Sequence, residues 1–160
     1  MTKKAVLSAL LALIIMTGCG YRIVITGKKA AFTIFPSVIA NESGEIEVTS
    51  QFKDSINLYL ATINALASEN NADYTGEFTL TSLQFTGASS SSTTTTAYAN
   101  MSIRILIEDK KGDEVFMRTF NASEDYANTS SMSETRSNRD EAVDDAINKI
   151  MTDFRNAFEK

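Results

Sequence analysis

From Ala97 to Glu108 the chain alternates without a slip. Ala97, Ala99, Met101, Ile103, Ile105 and Ile107 take one parity; Tyr98, Asn100, Ser102, Arg104, Leu106 and Glu108 take the other. A period of two over so long a run sends one set of side chains to one face, so the stretch must be a β-strand with that face committed to a core. The rest of the chain has to supply the other side of the core. Asp109-Lys110-Lys111-Gly112-Asp113 reads as a hairpin turn. Glu114 to Ala122 then returns antiparallel, with Phe116, Arg118 and Phe120 on one face and Val115, Met117 and Thr119 on the other. Ser123 to Asn138 is polar and rich in Ser and Asn, and is expected to be a loop.

Two stretches switch to helical spacing. Thr49 or Ser50 is placed to cap a helix reaching about Ala67, whose stripe is Phe52, Ile56, Tyr59, Leu60, Ile63 and Leu66. A second helix is expected from Arg139 or Asp140, where acidic residues suit the positive end of the helix dipole. Its stripe is Val143, Ala146, Ile147, Ile150, Met151, Phe154 and Phe158. Between the first helix and the long strand, Tyr74 to Thr86 again has period two. Phe78 and Leu80 share one parity, however, while Leu83 and Phe85 fall on the other, so the slip at Thr81-Ser82 predicts a β-bulge or a change of buried face.

Upstream, Tyr21 to Thr26 alternates weakly as far as the turn signal Gly27-Lys28-Lys29. Ala31 to Phe35 is a second β-favouring run. Pro36, the single proline, either ends it or confines it to a sheet edge, because proline has no N–H to give a central strand. Val38 to Gly44 is expected to be a loop, as is the unbroken Ser89–Thr96 run, which has nothing to bury. Strands, helix, three strands, helix is the order of an α+β two-layer sandwich. It predicts a mostly antiparallel sheet of four strands, or slightly more, with two helices on one face.

The N-terminus reads differently. Lys3 and Lys4 precede an apolar run from Ala5 to Ile15, which is an export signal and too short for a membrane-spanning helix. Thr17-Gly18-Cys19 resembles the lipobox of bacterial lipoproteins, in which Cys19 would be acylated, with palmitate among its chains, and become the first mature residue. Cys19 is the single cysteine. The expected organisation is a signal peptide at 1–18, a lipidated tether with a first strand at 19–30, and one α+β domain at 31–160. Gly20 stands where some bacteria place an Asp to retain lipoproteins at the inner membrane, so the outer membrane is the expected destination.

Composition narrows the chemistry. Histidine and tryptophan are absent. Without histidine there is no Ser-His-Asp or Cys-His nucleophile system and no imidazole-based zinc site. Losing residues 1–18 removes two of the 15 basic residues and none of the 20 acidic ones, leaving a net charge of −7. That argues against nucleic acid and against holding an anionic membrane by bulk charge, so the membrane contact falls to the lipid anchor. Glu141, Asp144 and Asp145 have the chemistry of hard-metal ligands, but acidic residues in the first turns of a helix ordinarily form a solvated, dipole-matched face. No metal or cofactor is expected, nor catalysis. Lys110 and Lys111, with Arg104 and Arg118 nearby in sequence, are the candidate contacts for phosphate groups, against the ordinary role of hairpin-tip charges in solubility and edge protection.

The order of elements resembles the outer-membrane lipopolysaccharide-assembly lipoproteins, the LptE family. The likeness runs from Cys19-Gly20-Tyr21 and Gly27 through the helix at Ser50 to Ala67 and ADYTGEFTLTSLQF (Ala72 to Phe85). It continues with the long alternating strand and the closing DEAVDDAINKIMTDFRNAF (Asp140 to Phe158). The resemblance implies a non-catalytic plug that assists assembly of the LptD barrel and contacts lipopolysaccharide on its way to the cell surface. Lys110, Lys111 and Arg118 are the candidate lipopolysaccharide contacts. The alternative is a periplasm-facing outer-membrane lipoprotein that binds another envelope protein or a glycan. A hydrolase built on carboxylates comes third.

Overall fold

The computed structural model describes residues 29–87 and 95–160. Cys19, the expected signal and tether, the expected Tyr21–Thr26 strand, Ala88 and residues 89–94 of the Ser/Thr run lie outside them. The described elements are β1 (Ile34–Asn41), α1 (Thr49–Thr62), β2 (Tyr74–Gly87), β3 (Thr95–Glu108), β4 (Glu114–Asn128) and α2 (Met132–Phe158). The sheet order is β1-β2-β3-β4, with β1 parallel to β2 and the other pairs antiparallel. Both helices cover the same face, giving the α+β two-layer sandwich with a mostly antiparallel four-stranded sheet that the sequence order predicts.

The alternation in β3 is met in full. Ala97, Ala99, Met101, Ile103, Ile105 and Ile107 are all buried. Above them lie Phe52, Ile56 and Leu60 of α1 and Val143, Ala146, Ile147, Ile150, Met151 and Phe154 of α2, all buried. The slip in β2 is a bulge: the register with β3 shifts between Leu80 and Ser82, leaving Thr81 unpaired. Gly76 is where β1, β2 and β3 come closest. A Cβ there would stand 2.9 Å from side-chain atoms of both Ile34 and Phe78 and 3.2 Å from Ile107, so only hydrogen fits. Phe154 gathers an aromatic cluster at one end of the core, with ring centroids of Phe32, Phe78, Phe116, Phe120 and Phe158 between 5.6 and 6.4 Å away.

Four expectations need correction. The strand that meets Pro36 does not stop there. β1 runs on to Asn41, taking up four residues assigned to a loop. It can do so because β1 is an edge strand and its register with β2 slips between Pro36 and Val38, so no ladder donor is missing. The strand ends where the Asn41 side chain turns the chain: its Nδ2 donates to Glu45 O, and its Oδ1 accepts from Ser43 N.

The first helix stops at Thr62, not near Ala67, and Thr49 and Ser50 lie inside it without capping it. Asn64 adopts a left-handed φ of 56°, and the N–H groups of Ala65 and Leu66 both reach back to Leu60 O, a termination that Asn tolerates and most residues do not. Leu66 therefore leaves the helical stripe. Ala65 and Ala67 bond instead to the outer side of Ile34.

Ser123–Asn138 is not a loop. β4 continues to Asn128, paired through Thr95–Asn100, and α2 begins at Met132. Ser131 caps that helix, its Oγ accepting from Glu134 N, while Ser131 N donates to Thr129 Oγ1. At 27 residues, α2 is about 40 Å long and spans the whole sandwich. Finally, Thr95 and Thr96 belong to β3 and not to the Ser/Thr loop.

Candidate docking face

Helices cover one face of the sheet. The cross-strand registers define what lies on the other, row by row from the Asp109–Asp113 turn. One row runs Val38, Glu77, Leu106, Met117; the next runs Ala40, Thr79, Arg104, Thr119. Beyond the Thr81 bulge come Ser82, Ser102, Asn121, then Gln84, Asn100, Ser123, then Thr86, Tyr98, Asp125. The face is thus graded. Near the turn it exposes apolar side chains, Met117 at 58%, Val38 at 40% and Val115 at 48%, with the half-buried Glu77 between Val38 and Leu106 in the same row. At β1 the apolar part turns the corner into a groove of about 730 Å³ along the free edge of the strand, lined by Phe35, Val38, Leu66, Lys53 and Asn57. Farther from the turn, two uncharged polar rows lie between the row holding Arg104 and the row holding Asp125. A shallow concavity of about 440 Å³ lies over the two rows containing Asn121 and Asn100.

The described chain enters at the turn end. Ala30 N donates to Ile63 O, Ala31 N to Glu159 Oε1, and Arg155 Nη2 to Lys29 O. The same end holds Asp73, whose carboxylate accepts from Thr33 Oγ1 at 2.7 Å and Thr33 N at 3.0 Å. These bonds, with the nearby Lys110 charge, hold the Asp73 carboxyl below the usual carboxylate range. Asp109 is lowered in the same way, chiefly by the N–H of Lys111 and then that of Asp113.

The four basic residues singled out in the sequence do not form one patch. Lys110 and Lys111 sit at the turn with Glu69, Asp73, Glu108 and Asp109 around the same depression, so the local charge there is not basic. Arg118 is paired with buried Ile105, which puts it on the helix-covered side of edge strand β4, its guanidinium 5.3 Å from the Phe120 ring centroid. Arg104 is on the opposite, open face. The three acidic residues of α2 are also dispersed in role. Asp144 accepts a 2.6 Å hydrogen bond from Ser55 Oγ that ties the helices together, while Glu141 and Asp145 are exposed. Among the described residues, no three Asp, Glu, His or Cys side chains converge as a metal site. No described helix is long and apolar enough to cross a membrane.

No family model matches the sequence, and no curated protein matches it. Solved structures do share the fold. A candidate lipoprotein of Caulobacter crescentus CB15 aligns with a TM-score of 0.58 at 15% identity, over 79% of this chain and 87% of that one. A minor lipoprotein of Acinetobacter baumannii gives 0.51 at 14%, over 80% and 93%. PelC of Paraburkholderia phytofirmans, solved as a dodecamer, gives 0.52 at 14%, over 79% and 92%. At such identities the likeness shows a common architecture.

Sequence reasoning missed the open face as a unit. Each row draws its members from three or four strands, and only the register puts them side by side.

Proposed function

We propose that this chain is a non-catalytic outer-membrane lipoprotein, tethered through acylated Cys19, that plugs and assists assembly of an LptD-type β-barrel and contacts lipopolysaccharide during delivery to the cell surface. The observation that carries the docking role is the half-covered sandwich. A helix layer seals one face, whereas the other exposes Leu106, Met117 and Val115 toward β4 and Val38 at the β1 edge, where a groove begins, with Glu77 between them. Exposed apolar surface of this kind marks a partner contact. The neutral polar rows beyond it suit the wet wall of a barrel lumen. The lipobox-like Thr17-Gly18-Cys19 supports the anchor, and the fold held in common with structures described as lipoproteins agrees with it.

The tether limits how far the domain can stand from the membrane. Lys29 lies ten positions after Cys19, and at no more than about 3.6 Å each these steps reach about 36 Å. That reach lets the end carrying Lys29, Lys110 and Lys111 approach the membrane, which a contact between the two turn lysines and lipopolysaccharide phosphates requires.

Depletion tests the proposal. Loss of the protein should lower the amount of correctly assembled barrel and make the outer membrane permeable to large hydrophobic antibiotics. A mild-detergent pull-down should recover the barrel by mass spectrometry, and Cys19→Ser should abolish acylation and release the protein from the detergent phase. Normal barrel levels with an intact permeability barrier would transfer the docking face to another envelope partner.

A further inference from the structure

The two uncharged rows of the open face have a chemistry of their own. We propose that they form a saccharide-binding surface that takes a neutral glycan strand, a role independent of the barrel reading.

Six side chains make a grid of two rows on three strands: Ser82, Ser102 and Asn121, then Gln84, Asn100 and Ser123. None is charged. Charges resume only in the flanking rows, with Arg104 on one side and Asp125 on the other. Asn is also a poor strand residue. Asn100 and Asn121 nevertheless stand within strands of 14 and 15 residues, and violations of local preference of this kind mark functional positions.

The polar atoms are oriented. Asn100 Nδ2 donates to Thr86 Oγ1 at 3.0 Å, and Ser102 Oγ donates to Asn121 Oδ1 at 2.6 Å. Each asparagine thereby spends one half of its amide on the protein. Asn100 keeps its Oδ1 acceptor and Asn121 its Nδ2–H donors for a ligand, with the Gln84 amide at the β2 end of the second row. Fixed donors beside fixed acceptors match neighbouring sugar hydroxyls, each of which both gives and takes a hydrogen bond. They do not match phosphate, which accepts only.

Tyr98, 40% exposed, occupies the next row and offers its ring to the C–H face of a pyranose. Three strands and two rows give a footprint of about 10 by 7 Å, the dimensions of a sugar ring with its substituents. The concavity over it, about 440 Å³, lies within the usual range for small-ligand sites.

The test uses the full chain in mild detergent, titrated calorimetrically with three neutral tetrasaccharides, of glucose, galactose and N-acetylglucosamine. At least one should bind saturably, with an affinity that added salt leaves unchanged, and should move the side-chain amide NMR signals of Gln84, Asn100 and Asn121. The double variant Asn100→Thr with Asn121→Thr should lose at least about tenfold in affinity. It should melt no lower than the parent, because Thr is the better strand residue. Tyr98→Ala, a second and independent variant, should weaken binding as well. No saturable heat from any of the three sugars overturns the proposal. So does binding that salt abolishes, binding that survives the double variant, or a lowered melting temperature in that variant, which would make the asparagines structural.

Discussion

Leu80 and Leu83 lie three residues apart in one strand and both enter the same core. Strict alternation forbids this, and the unpaired Thr81 between them makes it happen. One extra residue resets the parity of everything that follows, so the bulge decides which side chains of β2 are buried and which join the open face.

Deleting Thr81 should therefore be well tolerated. Leu80 and Ser82 already pair with the adjacent residues Ile103 and Ser102, so the deletion closes the ladder in register. Leu83 keeps the core face while Ser82 and Gln84 keep the open one. A thermal melt of the deletion should stay cooperative and close to the parent; loss of the cooperative transition would contradict the bulge assignment. Thr81→Ala, which keeps the residue count, should stay close to the parent, giving up only a hydrogen bond to Ser102 O.

Ile103 in β3 and Ile150 in α2 belong to the two layers of one core, and both are fully buried. Truncating either to Ala should cost about 2–5 kcal/mol by denaturant titration. Gly76→Ala should destabilise through the opposite fault, by about 1–3 kcal/mol, since the added methyl meets Ile34 and Phe78 at 2.9 Å. Neutral behaviour at Ile103 would contradict the layer assignment.

What the sequence revealed follows from where its signals are strong. β3, the helix stripes, the Asp109–Asp113 turn and the Thr81 slip were legible because a buried face imposes a period, and a period survives without any knowledge of neighbours. β4 beyond Ala122 was not. It is an edge strand whose Ser123, Asp125 and Asn128 have little to bury, and it is held by backbone pairing with β3. The early start of α2 did leave a signal: Ser131 is an N-cap residue with Glu134 three places on, overlooked because no apolar run follows them directly. Pro36 looked like a stop because proline's cost depends on whether a neighbour needs its N–H, and sequence alone does not say which strand is an edge. The candidate site was hidden for the same reason. Asn100 and Asn121 are ordinary polar residues until the register sets them in adjacent rows.

Acid should weaken the fold partly through Asp73. Its bonds to Thr33 keep its carboxyl harder to protonate in the folded chain than in the unfolded one. The unfolded chain therefore takes up the proton first. The stabilisation is present above the ordinary carboxylate pKa, about 3.9, and is lost as pH falls through the lower folded value. Asp73→Asn should be less stable than the parent near neutrality, and its denaturation midpoint should fall less steeply below about pH 4. Asp109, lowered by N–H groups of its own turn, supplies a share that this variant leaves in place. Parallel pH profiles for parent and variant would contradict the assignment.

The basic residues give a prediction that the geometry divides in two. Lys110 and Lys111 stand at the turn, at the end where the described chain enters, whereas Arg118 lies along edge strand β4 against Phe120. Replacing both lysines with Ser should weaken co-sedimentation with lipopolysaccharide, and rising salt should mimic the change, since exposed contacts are screened within about 10 Å at 0.1 M. Arg118→Ser should act mainly on stability, losing about 0.5–1 kcal/mol of cation–π contact from an exposed guanidinium over the Phe120 ring, and change sedimentation little. The triple variant would then bind as the lysine pair does and melt as Arg118→Ser does. Each comparison counts only at a temperature where the variant remains folded by circular dichroism. If Arg118→Ser alone reproduced the full binding loss, the lipopolysaccharide contact would run along β4 and not through the turn.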